Sequence, residues 1–339
     1  MSNKLKQLFN SKIPNRYVIA EIGNNHNGSI NLAKKLIIQA KKAGADCVKF
    51  QTFSTESLFS KKSFLNNKKL KLDSDKYTLS LESFKILKKF STKNNIDFTA
   101  TPFSNFEVDF LVDKLNLKFI KIASMDLNNY PFIDYISKKR IPIIISTGLG
   151  SKNEIEKAVR LLKKNRTKFI LLHCVSEYPP LEKNMNISRI SNLEKQFNCP
   201  VGFSDHTIGT LTSITALALG AKVIEKHFTL DKKMKGWDHA ISSDPKELKE
   251  ICNYAKKIKI ILGTKEIFRV ESKKKSIIFR RSIVAAKHLS KNRKVIFSDL
   301  NFKRPGDGLE PDKWKQIVGK TLKRNIKYDQ QLFLKYFRK

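Results

Sequence analysis

A short apolar run that turns polar at its C-terminal end recurs along this chain, and the recurrence constrains the fold more than any other feature. The stretch Val223-Ile224-Glu225-Lys226-His227-Phe228 shows it well, bounded by Gly220 and by a polar loop. Read as a strand, it places Val223, Glu225 and His227 on one face, because side chains alternate. Two ionisable groups on a buried strand are costly unless they are paired or hold a ligand. One such strand is accommodated by a core ion pair. A series of them ending at one rim points to a site.

The series is regular. Strands are expected at residues 17–23, 46–51, 97–101, 118–124, 142–148, 169–174, 200–206 and 223–228. Helix-period segments fall near residues 29–43, 79–90, 105–115, 152–163, 187–197, 210–219 and 245–261, with a polar excursion up to residue 76. Eight strands alternating with seven helical segments in about 250 residues have the size and rhythm of a (β/α)₈ (TIM) barrel. An open doubly wound sheet is the alternative, but the first turn has no GxGxxG. After Gly263 the rhythm breaks. The expected organisation is a barrel over residues 1–263, a charged linker over 264–277 and a small β-rich module over 278–339. That module has short strands at 281–287, 295–297 and 301–304, and a short helix at 312–318.

Charge and cysteine usage narrow the function. The formal net charge of +36 raises the question of nucleic acid. Yet 55 of the 67 basic residues are lysine and only 12 arginine, spread along the whole chain. Groove readers favour arginine, and single-strand binders interleave basic with aromatic residues. The charge reads as a solvated surface, with no nucleic-acid partner expected. The four cysteines, Cys47, Cys174, Cys199 and Cys252, form no CxxC and suggest neither a disulfide framework nor a zinc site. The polar, basic stretch Met1–Arg16 reads as no signal peptide, and no apolar run approaches a membrane span. A cytoplasmic protein is expected.

The polar residues fall at strand C-terminal ends, where such a barrel carries its active site. Glu21, Lys49, Gln51, Thr101, Lys121, Ser124, Ser146, His173, Ser204, His206, Glu225 and His227 all lie there. His206 and His227, converging from neighbouring strands with Glu225 or Asp238 nearby, suit a borderline divalent metal. Lys49 and Lys121, with Ser146, Ser204 and Thr101, supply donors for a phosphate or carboxylate. The plainer reading of either lysine is a barrel ion pair with Glu21 or Glu225. His173 and Cys174 point to opposite faces and are read as structural.

At these residues the chain resembles a known family. AEIGNNHNG, VKFQTF, FTATPFS, KIAS, STG, SDHTIG, VIEKHFTL and WDHAIS, in that order, are similar to the N-acetylneuraminate synthases. FRRSIVAAK through NFKRPGDGLEP resembles the antifreeze-like (SAF) domain at their C-terminus. The resemblance implies condensation of phosphoenolpyruvate with an N-acetylated sugar aldehyde to a nine-carbon sugar acid. It implies that Lys49, Lys121, Ser124, Ser146, Ser204 and Thr101 bind phosphoenolpyruvate. His206 and His227 would hold Mn²⁺, with Mg²⁺ or Co²⁺ as substitutes. Glu21, Gln51, Tyr178 and Asp238 would position the sugar, and Glu225 would lie against the substrates. Glu21, Lys49, Lys121 and Asp238 are the catalytic candidates. Arg304 would reach the acyl group from the partner subunit of a domain-swapped homodimer.

Departures from the family pattern leave the sugar open between N-acetylmannosamine and the diacetamido sugars that lead to legionaminic or pseudaminic acid. Ser176 stands where Asn is common, Met125-Asp126 replaces Gly-Glu, and Ser290-Lys291-Asn292-Arg293 lacks a turn glycine. The rival readings are a Schiff-base aldolase using Lys49 or Lys121, a nucleic-acid-binding module, and a silent sugar-binding protein.

Overall fold

The computed structural model describes residues 3–9, 16–264 and 266–338. The chain forms two compact units, Met1–Gly263 and Thr264–Lys339.

The first unit is built on eight parallel strands. These are β1 (Tyr17–Gly23), β2 (Cys47–Thr52), β3 (Asp97–Pro102), β4 (Ile120–Ile122), β5 (Ile143–Ser146), β6 (Phe169–Cys174), β7 (Val201–Asp205) and β8 (Val223–His227). Their order is β3-β2-β1-β8-β7-β6-β5-β4. The two ends meet where Thr99 Oγ1 of β3 donates to the Phe119 carbonyl, just before β4, at 2.8 Å. The sheet is therefore a TIM-type barrel.

Alternation along each strand separates two cores. Val18, Ala20, Val48, Phe50, Ile143, Ile145, Leu171 and Ile224 point outward under the helices and are buried there. Ile19, Cys47, Phe119, Ile144, Ile170, Leu172 and Val223 point inward and fill the barrel, with Tyr17 and Leu8 of helix Asn3–Leu8 beside them. That helix is the part of the polar stretch Met1–Arg16 that can be described; residues 1–2 and 10–15 lie outside the described residues.

Local chemistry sets the helices. Ser29 caps Ile30–Ala43, which buries Ala33, Leu36, Ile37 and Ala40 and ends at Gly44, with φ +98°. Ser151 and Glu154 form a capping box on Lys152–Lys164. The polar excursion after β2 holds three short helices, Thr55–Leu58, Lys61–Asn66 and Lys68–Tyr77. The expected helix at 105–115 is an α-helix over Asn105–Asp109 and continues as a wider π-helix over Phe110–Lys114. The expected strand at 118–124 contracts to three residues, and helix Tyr130–Lys138 follows it.

The second unit has its own core, of Ile283, Ala285, Leu289, Val295, Ile317, Leu322, Ile326, Leu332 and Phe337. Antiparallel β9 (Ser282–Ala285) and β10 (Leu300–Lys303) form its sheet. The strand expected at 295–297 is instead one bridge, Lys294 to Thr321, and a 3₁₀ turn at Phe297–Asp299. The short helix expected at 312–318 is a 3₁₀ helix, Pro311–Gln316. Asn292 adopts φ +66° and so takes the place of the missing turn glycine. The expected linker holds the start of helix Lys273–Phe279.

Candidate active site

The strand C-termini of the barrel surround a cavity of about 360 Å³. Its floor comes from residues two positions beyond the inward apolar ones. Ile19 is followed by Glu21, Cys47 by Lys49, Phe119 by Lys121, Ile144 by Ser146, Leu172 by Cys174 and Val223 by Glu225. The same parity that packs the barrel thus aims these groups at one space.

The floor is an ion network. Lys49 Nζ lies 2.8 Å from Glu21 Oε1 and 3.7 Å from Glu225 Oε1, and donates to Thr101 Oγ1 at 3.0 Å. Lys121 Nζ lies 3.4 Å from the same Glu225 oxygen, to which Ser204 Oγ also donates at 3.2 Å. Gln51 Nε2 donates to Glu21 Oε1 at 3.2 Å, and Asn24 Nδ2 to Gln51 Oε1 at 3.2 Å. Both lysines therefore make the barrel ion pairs and also line the cavity. Burial raises Glu21, against the pull of Lys49. Burial also pushes Glu225 up, but Lys121 and Lys49 together outweigh it and hold it down at about 2. Lys121 is lowered by burial, against Glu225.

Several buried polar atoms here have no hydrogen-bond partner among the described residues. They are Glu21 Oε2, Glu225 Oε2, Asn24 Oδ1, Ser146 Oγ, Ser176 Oγ and His227 Nδ1. Buried polar groups are nearly always satisfied, so the six that gather around this one cavity make it a candidate ligand site. Gly148 shapes part of it. A Cβ there would sit 2.4 Å from Ser176 Oγ, 2.7 Å from Ser124 Oγ and 3.2 Å from Cys174 Sγ. Only a glycine leaves these groups room to converge.

The histidines converge as expected. The rings of His206 and His227 lie 5.6 Å apart, and Tyr178 lies over His206 at 4.2 Å, tilted by 30°. His206 Nδ1 is 2.8 Å from the Val175 carbonyl, which engages that nitrogen as a donor and leaves Nε2 for a ligand. His227 Nδ1 is 3.7 Å from Asp238 Oδ2. Burial lowers His227 to about 4, against the attraction of Asp238, so the ring is neutral at pH 7. Asp238 belongs to the loop after β8. Ser242 Oγ donates to its carbonyl at 2.6 Å, and Asn25, fully buried, donates to Ser242 Oγ at 2.8 Å. Trp237 lines the same cavity and meets Tyr77 edge-on at 5.3 Å.

The cavity thus brings together all the candidates from the barrel strands and rim loops. Arg304 belongs to the second unit, where it is exposed and its guanidinium lies over Phe279 at 5.2 Å. His173 is structural, with Nε2 2.6 Å from the Met185 carbonyl. Reading Cys174 as structural is corrected. Its Sγ lines the cavity, 3.6 Å from Ser124 Oγ and 3.9 Å from His206 Nδ1. Strand parity with Ser146 was the signal for it. Asn24 and the apolar mouth, including Phe59, Phe103 and Leu149, carried no signal beyond lying on rim loops.

Known proteins with this architecture carry the argument further. The NeuB family matches residues 36–267, and the SAF domain matches residues 280–335. The N,N'-diacetyllegionaminic acid synthase of Campylobacter jejuni is 40% identical, covering 92% of this chain and 97% of that one. The pseudaminic acid synthase of Campylobacter jejuni is 35% identical (93% and 95%), and the N-acetylneuraminate-9-phosphate synthase of Drosophila melanogaster 33% (93% and 94%). Among solved structures, the N-acetylneuraminic acid synthetase of Leptospira borgpetersenii, in complex with citrate, superposes with a TM-score of 0.72. It is 36% identical, covering 78% of this chain and 90% of that one. With its barrel, its rim cavity and its small second unit, the chain belongs to the NeuB family and carries a C-terminal SAF domain.

Proposed function

We propose that this protein condenses phosphoenolpyruvate with an open-chain N-acetylated aldose, giving a nine-carbon 2-keto-3-deoxy sugar acid and inorganic phosphate. The observation that carries the reading is the cluster of unpartnered polar atoms between two buried lysines and two histidines. The lysines, Thr101 and the serines around Gly148 bind the carboxylate and phosphate of phosphoenolpyruvate by charge-assisted hydrogen bonds. Glu21, Gln51, Tyr178 and Asp238 orient the sugar so that C3 of phosphoenolpyruvate faces the aldehyde carbon. The C=C electrons of phosphoenolpyruvate form the C–C bond as the aldehyde oxygen takes up a proton. The C2 cation adds water with loss of a proton, and C–O cleavage then expels hydrogen phosphate and leaves the C2 keto group. Glu21 Oε2, on a carboxyl whose pKa burial raises, and Asp238 are the groups placed to accept that proton.

The histidine pair fits a divalent ion. One ring is locked through the Val175 carbonyl, and the other is neutral with a buried nitrogen unpaired. Among the described residues no three His, Cys, Asp or Glu side chains form a complete metal centre, so His206 and His227 would hold Mn²⁺, Mg²⁺ or Co²⁺ together with water or substrate oxygens. When bound, such an ion supplies Lewis-acid polarisation of the aldehyde carbonyl.

The test is phosphate release from phosphoenolpyruvate against a panel of acetamido sugars, with and without chelator. With ¹⁸O in the bridging position the label belongs in inorganic phosphate; label retained in the sugar acid overturns the mechanism. A 2,4-diacetamido acceptor is the second reading, supported by legionaminic acid synthases at 40% and 36% identity, beside 36% and 33% for N-acetylneuraminate-9-phosphate synthases. Arg304 is proposed to complete the site from a second copy. Mixing Arg304→Ala with His227→Ala chains should then restore activity that neither homodimer has, and no restoration in demonstrated mixed dimers excludes this role.

A further inference from the structure

Behind the two histidines, on the outward faces of β7 and β8, lies an ion pair that takes no part in the cavity. Lys226 Nζ is 2.9 Å from Asp205 Oδ2, and both side chains are 1% exposed or less. The residues are direct partners in the parallel ladder, Asp205 opposite Lys226. Each is followed by a site histidine, His206 and His227. A buried pair in an otherwise apolar layer contributes little net stability compared with well-packed apolar residues. Its hydrogen bonds show what it does contribute.

Both charges are saturated, and they converge on one residue. Asp205 Oδ1 accepts from Thr207 N at 2.9 Å and Thr207 Oγ1 at 2.8 Å. Asp205 Oδ2 accepts from Thr212 Oγ1 at 2.9 Å and Ser213 Oγ at 2.6 Å, tying in helix Leu211–Ala218. Lys226 donates to the Thr207 carbonyl and reaches Thr207 Oγ1 at 3.5 Å. The residue that precedes His227 thereby holds the Asp205 carboxylate before His206 and the Thr207 carbonyl after it. A one-residue slip of β8 would break this pairing and turn Glu225 and His227 out of the barrel.

We propose that Asp205 and Lys226 are positioning residues: a clamp that fixes the separation of the two histidine rings and so the affinity of their site for a divalent ion. The proposal rests on the reading of His206 and His227 as metal ligands. Groups that orient ligands from behind typically change metal affinity by about 10–100-fold when lost.

The experiment is Mn²⁺ titration of the full chain, followed by the electron paramagnetic resonance of the free aquo ion. Lys226→Met is compared with Leu217→Ala, a buried apolar truncation in the helix that Asp205 ties in. Thermal midpoints are measured for both. Lys226→Met is expected to weaken Mn²⁺ binding about 10-fold or more, while Leu217→Ala loses stability but binds within twofold of wild type. Asp205→Asn, isosteric and milder on folding, serves if Lys226→Met does not fold, with weakening of several-fold expected. Wild-type Mn²⁺ affinity in the clamp variants, or a loss that tracks the thermal midpoint in the helix variant too, overturns the clamp alone. A wild-type chain that binds no Mn²⁺ overturns the two-histidine reading and the clamp with it.

Discussion

Two levels of the barrel interior lie one pleat apart on the same strands and have opposite chemistry. The lower holds Ile19, Cys47, Phe119, Ile144, Leu172 and Val223, all essentially inaccessible. The upper holds Glu21, Lys49, Lys121, Ser146, Cys174 and Glu225, equally buried in most cases. Burial therefore does not separate core from site here. What separates them is partnership. The lower level is filled by carbon against carbon, whereas the upper leaves one oxygen of each glutamate and a serine hydroxyl unpartnered. The lower level specifies the fold, and the upper retains the polar groups to which the proposed function assigns the substrates.

The largest expected break in that comparison is Lys49→Met. It leaves Glu21 and Glu225 without their shared cation, and breaking a buried pair costs about 3–5 kcal/mol. Activity should fall below 1% of wild type. Ile144→Val, one level down on β5, should cost only about 0.5–1.5 kcal/mol and leave kcat and KM unchanged. Urea unfolding and steady-state kinetics on the two variants measure both effects. Equal losses of activity would erase the distinction between the levels.

Next in size is the histidine pair. His227→Ala should abolish turnover while the thermal midpoint stays within a few degrees, because the ring is not part of either apolar cluster. Exhaustive chelation of the wild type should do the same, and Mn²⁺ should restore it. Full activity after chelation removes the metal from the reading.

A smaller effect should come from Gly148→Ala. The added Cβ meets Ser176 and Ser124 hydroxyls well inside contact distance. Overpacking of this kind costs about 1–3 kcal/mol, which corresponds to a rise of roughly 5–150-fold in KM for phosphoenolpyruvate if the strain is relieved by moving those serines. A rise confined to KM for the sugar would place phosphoenolpyruvate elsewhere in the cavity.

Most of the barrel was legible because strand parity is strict. Once 17–23 and 223–228 were read as strands, Glu21, Glu225 and His227 had to face inward. The rim residues were also legible one by one, since polar side chains ending apolar runs are conspicuous. Less visible was what depends on three-dimensional neighbours. Gly148 is unremarkable until Ser124, Ser176 and Cys174 are placed around it. Cys174 is passed over when it is weighed only against His173, which points to the opposite face; its parity with Ser146 is the clue. The stretch up to residue 76 reads as a polar excursion because its three helices are short and largely solvated, with little apolar period. The second unit misled for a related reason: its chain is held by single bridges and 3₁₀ turns, which leave no period-2 signature at 295–297.

The smallest prediction tests whether partnership, rather than burial, is the right criterion. Asp299 is a buried carboxylate of the second unit, and unlike Glu21 and Glu225 it is fully partnered. Arg293 donates to both its oxygens at 2.9 Å, Lys287 lies at 3.0 Å and the Ile296 amide donates at 3.2 Å. Burial pushes its pKa up, but Arg293 and Lys287 outweigh that and hold it at about 2. A depressed carboxylate contributes stability that is fully present above its unfolded value, near 3.9, and is lost as pH falls towards 2. Since Arg293 and Lys287 are more than a third exposed, solvent screening limits the contribution to about 1–2 kcal/mol. Trp314 packs on the core of this unit, so a Trp237→Phe background leaves it as the single tryptophan reporter. Urea midpoints of the second unit, followed by that fluorescence, should fall between pH 4 and pH 2 more steeply with Asp299 than with Asp299→Asn. Catalysis at neutral pH should be the same in both. If Asp299→Asn instead impairs turnover while the urea midpoints match, a saturated carboxylate has a functional role, and unpaired oxygens cease to be the mark that distinguishes the upper level of the barrel.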